Sequence, residues 1–235
     1  MTNAEIGEIL TQGEIEVLGR IVESSNQALL VSVTWNETTV TACYKTELGE
    51  RPLWDFPEGL WRREVAAWIL SDYLGLDLVP VTVAREDGPF GPGSLQLWIE
   101  ETTGDHYFTL SDREDLEGWF QSLVVFDLIA NNTDRKSGHV IFDGHRCWAI
   151  DQGLCFGEED KVRTVLWDFG GFEIGQSDRL ALQKASALPE ECLAGYLGPK
   201  EIGEIRRRAA DLLEYGYFPE PDEDREWPPY PWPLV

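Results

Sequence analysis

Long apolar runs are missing from this 235-residue sequence. A helix that crosses a bilayer needs about 20 consecutive, mostly apolar residues, so the sequence predicts no transmembrane segment. The polar residues 1–5 also lack the pattern of a secretory signal peptide. The composition is 43% hydrophobic and 11% aromatic, as in globular proteins. We therefore expect a cytoplasmic protein with one core, or with two small lobes that share a cleft.

Cysteine is scarce, and its spacing is not that of a metal site. The four cysteines are Cys43, Cys147, Cys155 and Cys192, and they form no closely spaced pair of the kind that binds zinc. Cys43 and Cys147 lie in apolar, strand-like runs. We expect reduced, buried thiols, because disulfides are rare in the cytoplasm.

Positive charge is scarce as well. The sequence has 19 lysines and arginines against 43 acidic residues, which gives a formal net charge of -24. Such a surface repels nucleic acid and anionic lipid headgroups. The basic residues 206–208 lie in a helical pattern with acidic neighbours, which is typical of a solvated helix face with ion pairs. We therefore expect no nucleic acid, membrane or lipid headgroup as a partner.

A glycine-rich, phosphate-binding loop is also missing. Three segments rich in β-branched residues predict strands: 14–21, 28–34 and 39–45. Between the first two strands lie Ser24, Ser25 and Asn26. Small polar residues at a strand turn either offer backbone N–H groups to phosphate oxygens or make an ordinary hairpin turn. Both interpretations stay open for this turn.

A predicted hairpin organises the candidate site. Asp134 lies in a polar loop after an apolar, helix-like segment, and His139 follows five positions later. Two short apolar runs, 139–142 and 147–150, predict a β-hairpin, and Asp151 comes directly after it. These three side chains are therefore expected to converge. A carboxylate that orients a hydroxyl group, together with two metal ligands, is typical of kinase-type phosphoryl transfer.

Lys45 and Glu64 form a second predicted pair. Lys45 ends the third predicted strand, and Glu64 lies in a helix predicted over residues 59–74. Glu64 directly precedes Val65, one of the apolar positions that form the core-facing stripe of this helix. A lysine–glutamate pair of this kind contacts the α- and β-phosphates of ATP in kinases. The alternatives are an edge lysine and a solvent-facing carboxylate.

Three blocks of sequence resemble a known family. Residues 131–139 read Asn-Asn-Thr-Asp-Arg-Lys-Ser-Gly-His, residues 150–153 read Ile-Asp-Gln-Gly, and residues 159–167 read Glu-Asp-Lys-Val-Arg-Thr-Val-Leu-Trp. In this order they resemble a bacterial, chiefly actinobacterial, family labelled SCO1664-like. The blocks are also similar to the catalytic core of phosphatidylinositol 3-/4-kinase-like and HipA-type kinases. The likeness covers about residues 13–217.

The resemblance implies an α+β, two-lobed, protein-kinase-like fold of the phosphatidylinositol 3-/4-kinase-like type. A mainly β lobe with one helix would span residues 1–100, and a mainly helical lobe would span residues 101–235. Asp134 would orient the acceptor hydroxyl and accept its proton. Asp151 and His139 would bind Mg²⁺ or Mn²⁺ with ATP in the cleft, and Lys45, restrained by Glu64, would contact the phosphates. The order of segments along the chain would place the adenine-binding hinge at residues Trp98, Ile99 and Glu100.

The reaction expected is transfer of the γ-phosphoryl group of ATP to a hydroxyl group of a small polar metabolite or of a protein. His139 departs from the commoner kinase pattern, which has asparagine at this position. Because imidazole suits Mn²⁺ better than Mg²⁺, we expect a preference for Mn²⁺, and weaker binding below about pH 6.5. Two alternatives stay open: a catalytically silent nucleotide-binding regulator, and transfer of AMP on the same fold.

Other segments give coarser predictions. Residues 47–59 form a long loop, typical of a lid, and residues 111–114 form a capping box at the start of a helix that extends to residue 130. Lys161 and Arg163 are candidates for phosphate contacts or for surface ion pairs with residues 158–160. Residues 177–187 and 199–215 predict helices. The proline- and tryptophan-rich tail predicts either a strap over an apolar groove or a site for a protein partner.

Overall fold

An antiparallel sheet forms the first part of the chain. The structure, a computed structural model, describes residues 1–21, 27–101, 104–222, 224 and 227–235. The strands are β1 (Glu14–Arg20), β2 (Leu29–Trp35), β3 (Thr38–Thr46), β4 (Thr82–Arg85) and β5 (Gly93–Leu97). They form one five-stranded sheet in the order β1-β2-β3-β5-β4. The first three strands were predicted to within one residue, whereas the turn with Ser24, Ser25 and Asn26 lies outside the described residues.

The two faces of β3 have different surroundings. Side chains alternate along a strand, and Val40, Ala42 and Tyr44 are buried on one face. The helix α1 (Asn3–Gln12) covers that face with Ile6, Ile9 and Leu10. Lys45 therefore lies on the opposite face of the sheet. The first helix thus packs on the sheet.

The helix α2 (Leu60–Leu74) links the sheet to the second half of the chain. Ala67 and Leu70, together with other residues of this helix, belong to the core of the helical part. The loop before α2 fixes its start, because the carboxylate of Glu50 accepts the N–H groups of Gly59 and Trp61 at 2.9 and 2.7 Å. A negative charge at the N-terminus of a helix also interacts favourably with the helix dipole. The predicted helix over residues 59–74 is confirmed.

The second half of the chain is mainly helical. Its helices are α3 (Tyr107–Leu110), α4 (Glu117–Ala130), α5 (Gln176–Ser186) and α6 (Pro199–Tyr215), and its hairpin consists of β6 (Val140–Phe142) and β7 (Cys147–Ala149). The hairpin and the last two helices were predicted from the sequence, α6 with its observed bounds. None of the helices in the described ranges is long and apolar enough to cross a membrane. The division into lobes of residues 1–100 and 101–235 remains a prediction.

The predicted capping box at residues 111–114 is wrong. Ser111 closes α3 instead of opening a helix, because its N–H donates to the carbonyl of Tyr107 at 2.8 Å. A 3-10 turn (Glu114–Leu116) then leads into α4, which begins at Glu117. Residues 111–114 have the sequence pattern of a helix N-cap. Ser111 is instead the C-cap of α3, a short helix that the sequence did not predict.

Candidate active site

Lys45, Glu64 and Asp151 meet between the sheet and the hairpin. The Nζ of Lys45 lies 2.9 Å from Oδ1 of Asp151 and forms an ion pair with Oε1 of Glu64. The side chain of Glu64 is only 3% exposed, so the solvent-facing alternative for this residue is wrong. The side chain of Asp151, by contrast, is 40% exposed. A buried glutamate thus holds the lysine beside a carboxylate that a ligand can reach.

The charges of this cluster stabilise one another. Burial alone would lower the pKa of Lys45, but the carboxylates of Asp151 and Glu64 raise it well above its usual range. Burial alone would raise the pKa of Asp151, but Lys45 and then His139 hold it well below its usual range. Lys45 is therefore a cation and Asp151 an anion throughout the neutral pH range.

The backbone at Asp151 is strained. Its φ angle is +59°, a left-handed conformation that costs a non-glycine residue about 1 kcal/mol or more. The next residue, Gln152, donates its N–H to Oε2 of Glu64 at 3.0 Å. The turn therefore brings the Asp151 side chain to Lys45 and the following N–H group to the partner of that lysine.

Asp134 lies on a loop that a buried aspartate anchors. Asp127, in α4, accepts two hydrogen bonds from the fully buried guanidinium of Arg135, at 2.8 and 2.9 Å. Asp127 also accepts a bond from Asn132 at 3.0 Å, and Asn132 in turn accepts the N–H of Asp134 at 2.9 Å. The position of Asp134 is thus fixed through a continuous hydrogen-bond network, in which the bonds to the Asp127 carboxylate are charge-assisted.

The side chain of Asp134 has a cationic neighbour. Its Oδ2 lies 3.0 Å from Nζ of Lys136. Burial raises the pKa of the Asp134 carboxyl group, and Lys136 partly opposes this effect. A raised pKa makes a carboxylate a better proton acceptor.

Sequence reasoning gave no role to Arg135, Lys136 or Gln152. Arg135 also donates to the carbonyl of Ile150 at 2.9 Å and to the side chain of Gln152 at 2.8 Å, so it joins the Asp134 loop to both neighbours of Asp151. The only signal in the sequence is the run Asp-Arg-Lys at residues 134–136. It does not reveal that the arginine is buried, because adjacent loop residues of like charge are usually exposed.

His139 lies beside Asp151 with its ring nearly enclosed. Nε2 is 3.4 Å from Oδ2 of Asp151, and Nδ1 accepts the N–H of Lys136 at 3.4 Å. Burial lowers the pKa of His139 to about 4, so the ring is neutral at pH 7. The neutral ring is the form that binds metals.

The residues present fit a metal that is shared with phosphate oxygens. Within the described ranges, no group of three or more histidine, cysteine, aspartate or glutamate side chains is arranged to bind a metal by itself. Mg²⁺ in phosphate-binding sites needs only one or two carboxylates, since phosphates and water complete its shell. The exposed carboxylate of Asp151 fits this requirement, and His139 lies close enough to add a nitrogen ligand.

Two other groups were predicted to contact the nucleotide: the hinge at residues 98–100 and the turn at residues 24–26. Trp98, Ile99 and Glu100 directly follow β5, but the N–H of Trp98 donates to the carbonyl of Thr41 at 2.9 Å. That N–H is therefore not available to a base edge. The described residues are interrupted beyond residue 101 and also between residues 21 and 27, where Ser24, Ser25 and Asn26 belong.

Lys161 is not a free cation. Its Nζ pairs with Asp55 at 2.5 Å and lies 4.9 and 4.2 Å from the ring centroids of Trp54 and Trp227. The predicted pairing with residues 158–160 is therefore wrong for this lysine, whereas the phosphate contact stays a prediction. Its contacts instead join the long loop (residues 47–59) to the C-terminal tail.

The tail lies along the candidate site as a strap. Residues 227–235, here called the tail strap, accept hydrogen bonds from two segments of the helical part. The carbonyl of Pro229 accepts from the N–H of Thr164 and from Nε1 of Trp167, both at 3.0 Å. The carbonyl of Leu234 accepts the N–H of Ser137 at 2.8 Å. The tail strap thus ends on the loop that carries Asp134.

A mycobacterial protein is similar to the chain over nearly all its length. Protein Rv2133c of Mycobacterium tuberculosis is 36% identical over a 271-residue alignment, which covers 96% of this chain and 94% of that protein. No family model matches the chain.

Two solved structures resemble the fold. The Helicobacter pylori proinflammatory kinase CtkA has a TM-score of 0.53 and 11% identity, covering 89% of this chain and 94% of its own. Hydra Fam20, determined with a sugar, has a TM-score of 0.54 and 13% identity, covering 91% of this chain and 89% of its own. The α+β arrangement is therefore one that a kinase also has, while the phosphatidylinositol 3-/4-kinase-like type of this fold stays a prediction.

Proposed function

The chain belongs to the same family as the mycobacterial protein Rv2133c, and we propose that it is an ATP-dependent phosphotransferase of the kinase type. It would move the γ-phosphoryl group to a hydroxyl group of a small polar metabolite or of a protein. The observation that carries this proposal is the cluster of Lys45, Glu64 and Asp151. The lysine is charged, is held by a buried glutamate, and lies beside an accessible carboxylate. Kinases bind the phosphates of ATP with this arrangement.

The residues of the site divide the chemistry among them. Lys45, held by Glu64, would contact the α- and β-phosphates. Asp151, with His139 beside it, would bind Mg²⁺ or Mn²⁺, which neutralises phosphate charge when it is bound. Asp134 would orient the acceptor hydroxyl.

In the reaction, the acceptor oxygen bonds to the γ-phosphorus while the bond to the β,γ-bridging oxygen breaks. ADP leaves, and the proton of the hydroxyl passes to Asp134. The raised pKa of Asp134 supports this role. Lys136, 3.0 Å from Asp134, supplies a positive charge next to the group that is transferred.

The nucleotide would extend from this cluster along the sheet. We assign the adenine edge to the segment with Trp98, Ile99 and Glu100, where the backbone of Ile99 and Glu100 remains a candidate because the N–H of Trp98 is bonded to Thr41. The turn with Ser24, Ser25 and Asn26 would contact the phosphates from the other side, as the order of strands suggests.

The acceptor is not expected to be a membrane lipid. The motifs are similar to those of phosphatidylinositol 3-/4-kinase-like and HipA-type kinases, and of the SCO1664-like family. A net charge of -24, however, disfavours a protein that works on an anionic lipid surface. We therefore favour a metabolite or protein acceptor in the cytoplasm, where four unpaired cysteines would stay reduced.

One observation favours a second candidate function. His139 stands where related kinases bind a second metal with asparagine, and its burial beside Asp151 leaves a nitrogen in place of an oxygen ligand. A protein that binds nucleotide without turnover would tolerate this change. The same cluster could also present the α-phosphate for AMP transfer, because the residues that grip ATP serve both reactions.

Labelled nucleotide distinguishes these functions. The protein is incubated with metal and with γ-labelled or α-labelled ATP, in the presence of a cytosolic metabolite extract, and both metabolites and protein are analysed. We expect γ-label on a metabolite or on protein, and its loss in Asp134→Asn. The control Asp72→Asn changes an exposed aspartate of α2 and should transfer label as the wild type does.

The other outcomes are equally distinct. Transfer of α-label alone would contradict the kinase proposal and indicate AMP transfer. Binding of ATP without transfer of either label would favour the silent regulator. A protein that neither binds ATP nor transfers label would contradict all three functions.

A further inference from the structure

Arg63 is a buried arginine next to Glu64 on α2. Its side chain is 5% exposed, and a buried guanidinium costs much free energy unless its N–H groups are paired. Nη1 donates to the carbonyl of Cys155 at 2.6 Å, and Nη2 pairs with Glu201 in the first turn of α6. The guanidinium carbon also lies 5.2 Å from the ring centroid of Phe56 in the long loop. Arg63 thus joins α2 to three other segments.

Arg63 and Glu64 hold the same loop at two points. Glu64 accepts the N–H of Gln152, the residue after Asp151, and Arg63 binds the carbonyl of Cys155, four residues after Asp151. Consecutive side chains on a helix point about 100° apart. The two contacts therefore fix both the distance of α2 from the loop and the rotation of α2 about its axis.

A rotation of α2 would separate the charged cluster. Glu64 holds Lys45 through one oxygen and the Gln152 N–H through the other, so both contacts depend on the orientation of the helix. Lys45 reaches Glu64 from near the end of β3, so this ion pair forms only while α2 and β3 keep their relative position. The geometry of the Lys45–Asp151 contact hence depends on what anchors α2 to the helical part.

We infer that Arg63 is a positioning residue, which anchors α2 so that Glu64 holds Lys45 beside Asp151. The inference rests on the proposed function for its catalytic consequence, but not for its structural one. Arg63 forms no hydrogen bond or ion pair with Lys45 or Asp151, and its partners among the described residues are the carbonyl of Cys155 and the carboxylate of Glu201. The planar guanidinium donates to the carbonyl through Nη1 and to the carboxylate through Nη2, a fixed spacing that the single ammonium nitrogen of a lysine does not reproduce.

The structural consequence is tested without nucleotide. In Arg63→Met, we expect the N–H of Gln152 to exchange with solvent at least about tenfold faster, since its bond to Glu64 opens more often. Arg63→Lys keeps the charge but only one of the contacts, and should give an intermediate rate. Arg62→Met is the matched control, because Arg62 is half-buried and lies over the Trp61 ring 4.6 Å away. It should leave the exchange of the Gln152 N–H unchanged.

The catalytic consequence is tested by separating kcat from KM. In Arg63→Met, the phosphate-binding groups are all present but misaligned, so kcat should fall about tenfold or more while KM for ATP changes by less than about threefold. Arg63→Lys should recover part of kcat. If Arg63→Met lowers only the melting temperature, with kcat and the exchange of the Gln152 N–H as in the wild type, Arg63 is merely structural and the inference is wrong.

The two proposals fail in different ways. A wild-type protein without ATP turnover contradicts the proposed function, yet the exchange of the Gln152 N–H still decides whether Arg63 anchors the cluster. A wild-type protein that is active, with Arg63→Met equally active and equally protected at Gln152, contradicts the inference alone.

Discussion

At the scale of single residues, Asp134 and Asp151 have opposite electrostatic surroundings. Asp151 contacts the Lys45 ammonium group, which keeps its pKa low, whereas burial raises the pKa of Asp134. A strongly anionic carboxylate is suited to a cation that is already bound in the ground state. A carboxylate with a raised pKa is suited to a proton that moves only during reaction.

Alanine at the two positions should therefore have different effects. Asp134→Ala should bind ATP within about threefold of the wild type and lose transfer by about a hundredfold or more, as expected of a proton acceptor. Asp151→Ala should lose metal-dependent ATP binding as well. Calorimetric titration with ATP, with and without metal, measures both effects. Equal loss of binding in the two variants would contradict the assignment.

His139 should affect the choice of metal. Imidazole nitrogen binds Mn²⁺ more readily than Mg²⁺, which prefers oxygen ligands. We expect a measurable preference for Mn²⁺ in ATP binding or turnover, narrowed in His139→Asn. An unchanged ratio of Mn²⁺ to Mg²⁺ activity in His139→Asn would mean that the ring contacts only the loop.

The burial of His139 revises the pH dependence expected from the sequence. Its pKa is lowered to about 4, so the metal-free folded protein keeps the ring neutral well below pH 6.5. The unfolded chain binds that proton near pH 6.5, so the stability contributed by the neutral ring is present above pH 6.5 and is lost as the pH falls towards 4. Between pH 7 and pH 5 the loss is about 2 kcal/mol.

Denaturant unfolding at these two pH values tests this. Without metal, the free energy of unfolding of the wild type should fall more between pH 7 and pH 5 than that of His139→Asn. Equal falls in the two proteins would show that the ring is not kept neutral by burial. Titrating groups far from His139 contribute equally to both proteins and cancel in the comparison, and Asp151, whose pKa lies well below its usual range, stays ionised at both pH values.

At the scale of elements, sequence patterns predicted those strands and helices whose formation depends mainly on residues close together in the sequence. β-branched runs predicted β1, β2 and β3, and the sequence also predicted the helix α6 at residues 199–215. The capping pattern at Ser111 failed because α3, a helix of four residues, has too little periodicity to be recognised. Short elements of this kind depend on tertiary packing rather than on propensity.

The candidate site was predicted only in part, for a related reason. The motifs indicated Asp134, His139 and Asp151, but the contacts that hold Lys45 beside Asp151 and anchor α2 join residues far apart in sequence. Lys45 and Asp151 are separated by 106 positions, and Arg63 and Glu201 by 138. No periodicity in a single sequence encodes such pairs. The buried position of Arg63 and the tryptophan contacts of Lys161 were missed for the same reason.

The tail strap is an element whose contribution can be measured. Trp227 stacks on Trp54 with ring centroids 5.8 Å apart and lies against the Lys161 ammonium group. Trp227→Ala should remove a cation–π contact of about 0.5–2 kcal/mol and speed the hydrogen exchange of the Thr164 N–H, which bonds to Pro229. Trp232→Ala is the control, since Trp232 is 87% exposed. Similar exchange of the Thr164 N–H in both variants would mean that Trp227 does not hold the strap.

At the scale of the whole molecule, the number of unpaired basic side chains at the surface is smaller than the composition suggests. Among the 19 basic residues, several are buried in ion pairs with acidic partners: Arg63, Arg135, Lys161 and Arg208. The exposed surface therefore has fewer free cations than the count implies. Arg207, from the only dense basic cluster of the sequence, likewise pairs with Asp160, Glu204 and Asp211.

This distribution predicts no affinity for anionic membranes. Each lysine or arginine near an anionic surface contributes about 1 kcal/mol, and two of the three arginines at residues 206–208 are paired with carboxylates. We expect no co-sedimentation with phosphoinositide-containing vesicles at physiological salt. Robust sedimentation with these vesicles, but not with neutral ones, would support a lipid acceptor instead.

The position of the end of the tail strap also determines where an affinity tag is best placed. The carbonyl of Leu234 bonds to the N–H of Ser137, three residues after Asp134, so an affinity tag fused behind Val235 would emerge next to the proposed acceptor site. A tag in front of Met1 would instead leave from α1, on the face of the sheet opposite Lys45. Assays on material purified through its N-terminus would keep the strap in place, whereas a C-terminal fusion would risk reporting an inactive protein.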